Sequence, residues 1–295
     1  MFKKSILTLS VVLLSGTSYT YAKDCSTQFY DGKAPVVTNS PLAQRTTNLC
    51  FEEYAVLYSG ETRTPLWSAE FLTNNRIKEA RKLKRNDSFH EEDQLPASDR
   101  STLADYKGSS YYSHSLDRGH MSPNSDFSTY SAQFESFSLA NIIPQDSNNN
   151  QHLWESIESA TRKLVTQRER LYVITGPIFD NTNEKLHGRV TIPTRIFKAI
   201  VDPSRKEAAA YITNNQGGSE YSTVSIAELE RTVGINLFPD LPSSVKNTKM
   251  NLPVPVEREG GFKNGSNAGY KHSNNVSSNT SDVPRILKSL MYAFK

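Results

Sequence analysis

Leu116-Asp117-Arg118-Gly119-His120-Met121 is the stretch on which the reading of this chain turns. A histidine stands beside a glycine and an arginine, just before a turn signal at Pro123-Asn124. A second cluster follows downstream, Asn148-Asn149-Asn150-Gln151-His152-Leu153-Trp154-Glu155-Ser156-Ile157-Glu158. Together they hold a general base, an oxygen ligand for a hard metal and cations for a phosphate. Metal-assisted hydrolysis of a phosphodiester needs those parts.

The chemistry fixes what each residue type can contribute. An imidazole is largely neutral near pH 7 and still basic, so His120 suits removal of a proton from water. The amide carbonyl of Asn150 is an oxygen donor, and Mg²⁺ usually keeps several waters and needs few protein ligands. Arg118, Arg63 and Arg162 are candidates for the phosphate, which arginine grips bidentately. Glu158 and Arg162 stand four residues apart on one helix face, where Glu158 could hold a metal-bound water. Each also has a plainer reading: a loop histidine exposed to solvent, a surface ion pair, an asparagine helix cap.

Working outward, Asn149 to about Arg168 reads as a helix with Leu153, Ile157, Ala160 and Leu164 on its apolar face. Upstream, Tyr54, Val56 and Tyr58 alternate within Phe51 to Ser59, the period of a half-buried strand. Pro65 to Thr73 follows as a second strand after a turn at Gly60 to Thr64. Arg76 to Arg85 holds six basic residues and one acid, Glu79. It reads either as a phosphate-tracking patch or as a solvated basic segment. Residues 26–50 are polar and turn-rich, and Asn86 to Gly108 reads as an extended loop. Ser138 to Pro144, Leu171 to Phe179, Val190 to Val201 and Ala208 to Thr213 read as strands. Ser225-Ile226-Ala227-Glu228 is a capping box, with Gly234 placed for the C-terminal cap. Strands and helices mix without βαβ regularity, so the expected class is α+β around a central antiparallel sheet flanked by helices.

Residues 1–22 read as a cleaved signal peptide: Lys3 and Lys4, an apolar run from Ile6 to Leu14, and small residues at a cleavage site ending in Ala22. The run is too short to span a bilayer comfortably, and no later segment is apolar enough, so no stable membrane association is expected. Removing two lysines and no acids lowers the formal net charge of +3 by two. Global charge therefore gives no hint of a nucleic-acid partner, and attraction would have to come from local patches. Two cysteines, Cys25 and Cys50, in an exported chain imply one disulfide worth on the order of 3 kcal/mol. Residues 23–295 read as a single domain with a mobile Gly/Ser/Asn loop at 260–282 and a final amphipathic helix at 283–295.

The motifs also carry a resemblance. Asp117-Arg118-Gly119-His120, then Asn141-Ile142-Ile143-Pro144-Gln145, then Asn150-Gln151-x-x-Trp154-x-x-x-Glu158 resembles the DNA/RNA non-specific endonuclease family, sugar-nonspecific nucleases with a ββα-metal (His-Me) finger. Similarity extends over roughly residues 50–240. It implies His120 as general base and Asn150 as the direct ligand of Mg²⁺, with Mn²⁺ as a possible substitute. It implies Glu158 as a ligand through water, Arg63 and Arg162 on the phosphoryl charge, and Asn141 shaping the site. Asp117 and Arg118 would support the histidine and the phosphate. The asparagine run leaves Asn149 as an alternative ligand; the spacing to Trp154 and Glu158 favours Asn150.

The resulting expectation is a secreted or periplasmic Mg²⁺-dependent endonuclease acting on DNA and RNA and leaving 5′-phosphates. The competing readings are a nucleic-acid-binding protein on a retired scaffold and a hydrolase of other phosphodiesters. Oligomeric state, an inhibitor partner and any preference between DNA and RNA are open at this level.

Overall fold

The structure, a computed structural model, describes residues 24–109 and 115–256. The leader at 1–22, the loop at 260–282 and the helix at 283–295 lie outside the described residues.

A seven-stranded antiparallel sheet forms the centre. Its order across the sheet is Tyr221–Val224, Glu207–Asn214, Arg195–Asp202, Arg170–Ile178, Thr64–Thr73, Ala55–Ser59 and Thr46–Cys50. Both faces are covered, as the alternation along Arg195–Asp202 shows. Phe197, Ala199 and Val201 enter one core with Trp67, Ile174 and the helix residues Ile226 and Leu229. Ile196 and Ile200 enter the other with Leu153, Trp154, Ile157 and Leu164. Leu153, Ile157 and Leu164 belong to the apolar stripe read from the sequence, and with Trp154 they seat the second motif on the sheet.

Covering both faces changes one expectation. The strand Ala55–Ser59 is buried at every position rather than half-buried. Ala55 and Leu57 join the first core, while Tyr54, Val56 and Tyr58 pack with Phe51, Leu95 and Phe127. Tyr54, Val56 and Tyr58 are the face read from the sequence, and Ala55 and Leu57 form the second buried face. The sheet also gains an edge strand, Thr46–Cys50, from a segment read as turn-rich; polar Thr46, Thr47 and Asn48 suit an edge. The expected strand at Val190 to Val201 is two strands, Val190–Thr191 and Arg195–Asp202, because Pro193 cannot donate to a ladder. The capping box of Ser225 and Glu228 forms, and Gly234 ends that helix with φ +66°. Cys25 and Cys50 are joined, tying the N-terminal arm to the edge strand. Among the described residues no helix is long and apolar enough to cross a membrane.

The basic segment divides. Arg76 lies on the helix Asn74–Ala80 and is buried. It donates to the carbonyls of Asp126 (2.8 Å), Glu53 (2.8 Å) and Phe71 (3.0 Å), and faces Glu70 at 3.4 Å. One of the six cations is thus a structural hub. Lys78, Arg81, Lys82, Lys84 and Arg85 remain at the surface.

Candidate active site

The two motifs meet in a ββα finger. Leu116–His120 pairs antiparallel with Ile142–Asp146, setting Asp117 opposite Gln145 and His120 opposite Ile142. The chain then passes directly into a helical turn at Ser147–Asn149, a π-helical turn at Asn150–Trp154 and the α-helix Glu155–Arg168. The Asp146 carboxylate caps this start, accepting from the Asn149 amide at 2.9 Å. Buried Asn215 pins the entry to the sheet: its Oδ1 accepts from Asp146 N, and its Nδ2 donates to Pro144 O and Pro193 O. Single π turns are common at functional sites, and this one begins at Asn150.

Asp117 orients that asparagine. Its Oδ2 accepts from Asn150 Nδ2 and from Gln151 Nε2, both at 2.9 Å, and its Oδ1 accepts from Ser147 Oγ at 2.7 Å. With its amide nitrogen held, Asn150 turns its carbonyl oxygen away from the carboxylate. Asn149 is spent elsewhere: fully buried, it accepts from Gln145 Nε2 and donates to Asn214 O. Of the two, only Asn150 has an oxygen left for a ligand. Among the described residues no group of three or more His, Cys, Asp or Glu side chains converges on a metal position. An ion here would rest on amide oxygen and water, a donor set that fits Mg²⁺.

His120 ends the first finger strand. Its ring sits against Phe89 (5.4 Å between centroids) and edge-on to Phe137 (5.0 Å). Burial, then the charges of Arg85 and Arg118, push its pKa down to about 3. The imidazole is therefore neutral at physiological pH, and its buried Nε2 has no hydrogen-bond partner. Arg118 lies over the Phe89 ring at 4.0 Å and Arg85 over Phe137 at 5.3 Å, so the same two rings carry base and cations. Beside them opens a cleft of about 680 Å³ lined by Arg85, Phe89, Lys107, Asp117, Arg118 and Asn150, among others. Gly119 is required between these groups. A Cβ there would stand 2.0 Å from Gln145 Oε1 and 2.6 Å from Gln145 Cβ.

Glu158 and Arg162 lie on the finger helix. Burial pushes the Glu158 pKa up to about 7 against the pull of Arg162 and Lys198. Arg162 Nη1 is 3.8 Å from Glu158 and 3.2 Å from Asp126, where it makes a hydrogen bond. Asn141 is wholly buried. It accepts from Ser122 N and donates to the carbonyls of Ser122 and Ser136, so it shapes the turn after His120 and has no free donor.

Arg63 stands apart. It occupies the turn before Thr64–Thr73 with φ +55°, donates to Ser98 O at 2.9 Å, and has no contact joining it to His120 or Asn150. Reading the sequence missed Phe89, Phe137 and Asp126. The rings belong to separated loop and turn segments, and Asp126 looks like any turn acid. Glu70 left a fainter signal, a lone acid inside an apolar strand.

The DNA/RNA non-specific endonuclease family model matches residues 33–244. The chain belongs to that family. Its relatives include Nuclease C1 of Cunninghamella echinulata var. echinulata, 32% identical over 214 residues, spanning 65% of this chain and 83% of that protein. A nuclease of Nostoc sp. is 30% identical over 217 residues, 66% of this chain and 76% of the other. Human mitochondrial Endonuclease G is 29% identical over 210 residues, 64% and 69%. A chain in the crystal structure of the EndoG/EndoGI complex shares the fold at a TM-score of 0.57 and 24% identity, covering 68% of this chain and 89% of that one. This endonuclease hydrolyses phosphodiester bonds, and its sheet with a ββα finger is the family's α+β architecture.

Proposed function

We propose that this endonuclease is an exported, Mg²⁺-dependent enzyme that cuts DNA and RNA with little sequence preference and leaves 5′-phosphates. The observation that carries the reading is the hold of Asp117 on Asn150, which presents one amide oxygen beside a cationic cleft. Asn150 would ligate the ion directly, and Glu158 would hold one of its waters. Bound there, Mg²⁺ would neutralise phosphate charge and stabilise the leaving 3′-oxygen. Neutral His120 takes the proton of the attacking water. Arg162 and Arg118 offset charge on the phosphate, Asp117 keeps Asn150 aimed, and Asn141 keeps the turn after His120 in place. The cations Arg85, Lys107 and Arg118 in the cleft suit phosphates, which carry no sequence information, and this supports broad specificity. The leader with Lys3, Lys4 and Ile6 to Leu14, and the Cys25–Cys50 disulfide, support export to an oxidising compartment.

The test is end-group analysis. Duplex DNA and single-stranded RNA of mixed sequence are digested with Mg²⁺, and the fragments are offered to polynucleotide kinase before and after phosphatase. Both substrates should be cut, and 5′ labelling should require phosphatase. Fragments labelled directly would mean 5′-hydroxyl ends and would overturn the mechanism.

A further inference from the structure

Behind the finger helix, one guanidinium is shared by three carboxylates. Arg162 Nη1 hydrogen-bonds Asp126 Oδ1 at 3.2 Å, while Glu158 stands at 3.8 Å and Glu155 at 4.0 Å from its other nitrogen. Helix geometry alone would favour another arrangement. Glu158 and Arg162 are four residues apart in the orientation that normally forms a direct ion pair. Here the stronger contact goes to Asp126, outside the helix, in the short turn Asn124–Asp126 that follows His120.

That turn is fixed. Asp126 is 2% exposed, and its backbone carbonyl accepts from Arg76 Nε at 2.8 Å. Arg76 in turn holds Glu53 O and Phe71 O, so the carboxylate of Asp126 is presented from a rigid platform. Glu158 receives no hydrogen bond from Arg162 in this arrangement. Its carboxylate keeps only the longer 3.8 Å ion pair with Arg162, two helical turns after Asn150 in sequence.

We propose that Asp126 is a positioning residue that draws Arg162 away from Glu158, keeping the Glu158 carboxylate available to the metal site. The inference rests on the reading of Glu158 as holder of a metal-bound water. Without Asp126, Arg162 closes onto Glu158 as an ordinary helical ion pair, and the metal loses that support while Arg85, Lys107 and Arg118, the cations that line the cleft, stay in place.

The experiment is calorimetric titration of the metal-free protein with Mn²⁺, alongside cleavage kinetics in Mg²⁺. Wild type, Asp126→Asn, Asp126→Glu, Glu158→Gln and the double variant Asp126→Asn/Glu158→Gln are compared. Asp126→Asn keeps the backbone carbonyl that Arg76 uses. It should weaken Mn²⁺ binding about tenfold, the lower end of the loss seen when a partner of a metal ligand is removed. KM for DNA should stay within about twofold of wild type, since the cleft cations Arg85, Lys107 and Arg118 are unchanged and only Arg162 shifts. Asp126→Glu, which can still reach Arg162, should recover most of the affinity. With Glu158→Gln already present, Asp126→Asn should cost nothing further. Unchanged Mn²⁺ affinity in a folded Asp126→Asn, or an equal loss in the Glu158→Gln background, would overturn the proposal. If Asp126→Asn does not fold, Asp126→Glu with wild-type affinity supports the proposal, and a folded Asp126→Glu with weakened affinity overturns it. Wild-type Mn²⁺ affinity in Glu158→Gln alone would refute the reading of Glu158 itself, a separate failure.

Discussion

Asp117 and Asn150, one on a finger strand and the other opening the π-helical turn, are joined by a 2.9 Å hydrogen bond from amide nitrogen to carboxylate. The bond fixes which end of the amide faces outward, so it couples the strand that carries His120 to the residue that offers an oxygen. Replacing Asp117 with Ala should free Asn150 to rotate. Half-activation by Mg²⁺ should then require about 10- to 100-fold more metal, with KM for DNA little changed. A Mg²⁺ titration of initial cleavage rate checks this; equal midpoints would show that the bond does not matter to the metal.

Gly119 lies opposite Ile143 in the finger, and the Gln145 side chain fills the space where its Cβ would stand. Gly119→Ala would place a Cβ against both the amide and the Cβ of Gln145. Overpacking of this kind costs about 1–3 kcal/mol, and the strand pair should part enough to misplace His120. Denaturant midpoints should show the loss in Gly119→Ala and its partial recovery in Gly119→Ala/Gln145→Ala. A single variant as stable and active as wild type would refute the packing argument.

His120 also sets a pH dependence of stability. Its folded pKa is pushed down to about 3, against about 6.5 in an unfolded chain. Between those values the unfolded chain holds a proton that the folded one does not. The contribution is therefore present above about pH 6.5, lost as pH falls, and exhausted near the folded pKa of about 3. Chemical denaturation between pH 4 and 8 should show a smaller acid slope in His120→Asn than in wild type. Equal slopes would mean that the ring is not buried in its neutral form.

Much of this site was legible because its parts are local in sequence. Asp117, Arg118, Gly119 and His120 lie on one strand, and Asn150, Trp154, Glu158 and Arg162 follow one helical register. The capping box at Ser225 was legible for the same reason. What escaped depends on distant chain segments meeting. Phe89 and Phe137 pack on each other and on the histidine, and no periodicity marks them. Arg76 reads as one more surface cation until Glu70 and three carbonyls surround it. Thr46–Cys50 lacks an apolar pattern because its strand is an edge. The π turn at Asn150 has no residue signature at all.

The basic segment should divide functionally as it does structurally. Arg81→Ala/Lys84→Ala removes exposed charge leading toward the cleft. KM for DNA should rise, and the salt dependence of binding should flatten by about 0.9 in log–log slope for each phosphate that is no longer neutralised. Arg76→Ala should instead destabilise the fold by about 3 kcal/mol, because it leaves the carbonyls of Asp126, Glu53 and Phe71 without their donor. Fluorescence anisotropy against salt and a denaturation curve separate the two effects. Identical behaviour of the two variants would contradict the division.

His120 as the base, in a site that depends on bound metal, makes a simple demand of the enzyme. Nicking of supercoiled plasmid by wild type and His120→Ala, each with Mg²⁺ and with EDTA, tests it most directly. Supercoiled DNA should be lost only with wild type and Mg²⁺, and His120→Ala should still bind DNA with near wild-type affinity. Cleavage by His120→Ala at the wild-type rate, or by wild type in EDTA, would contradict it.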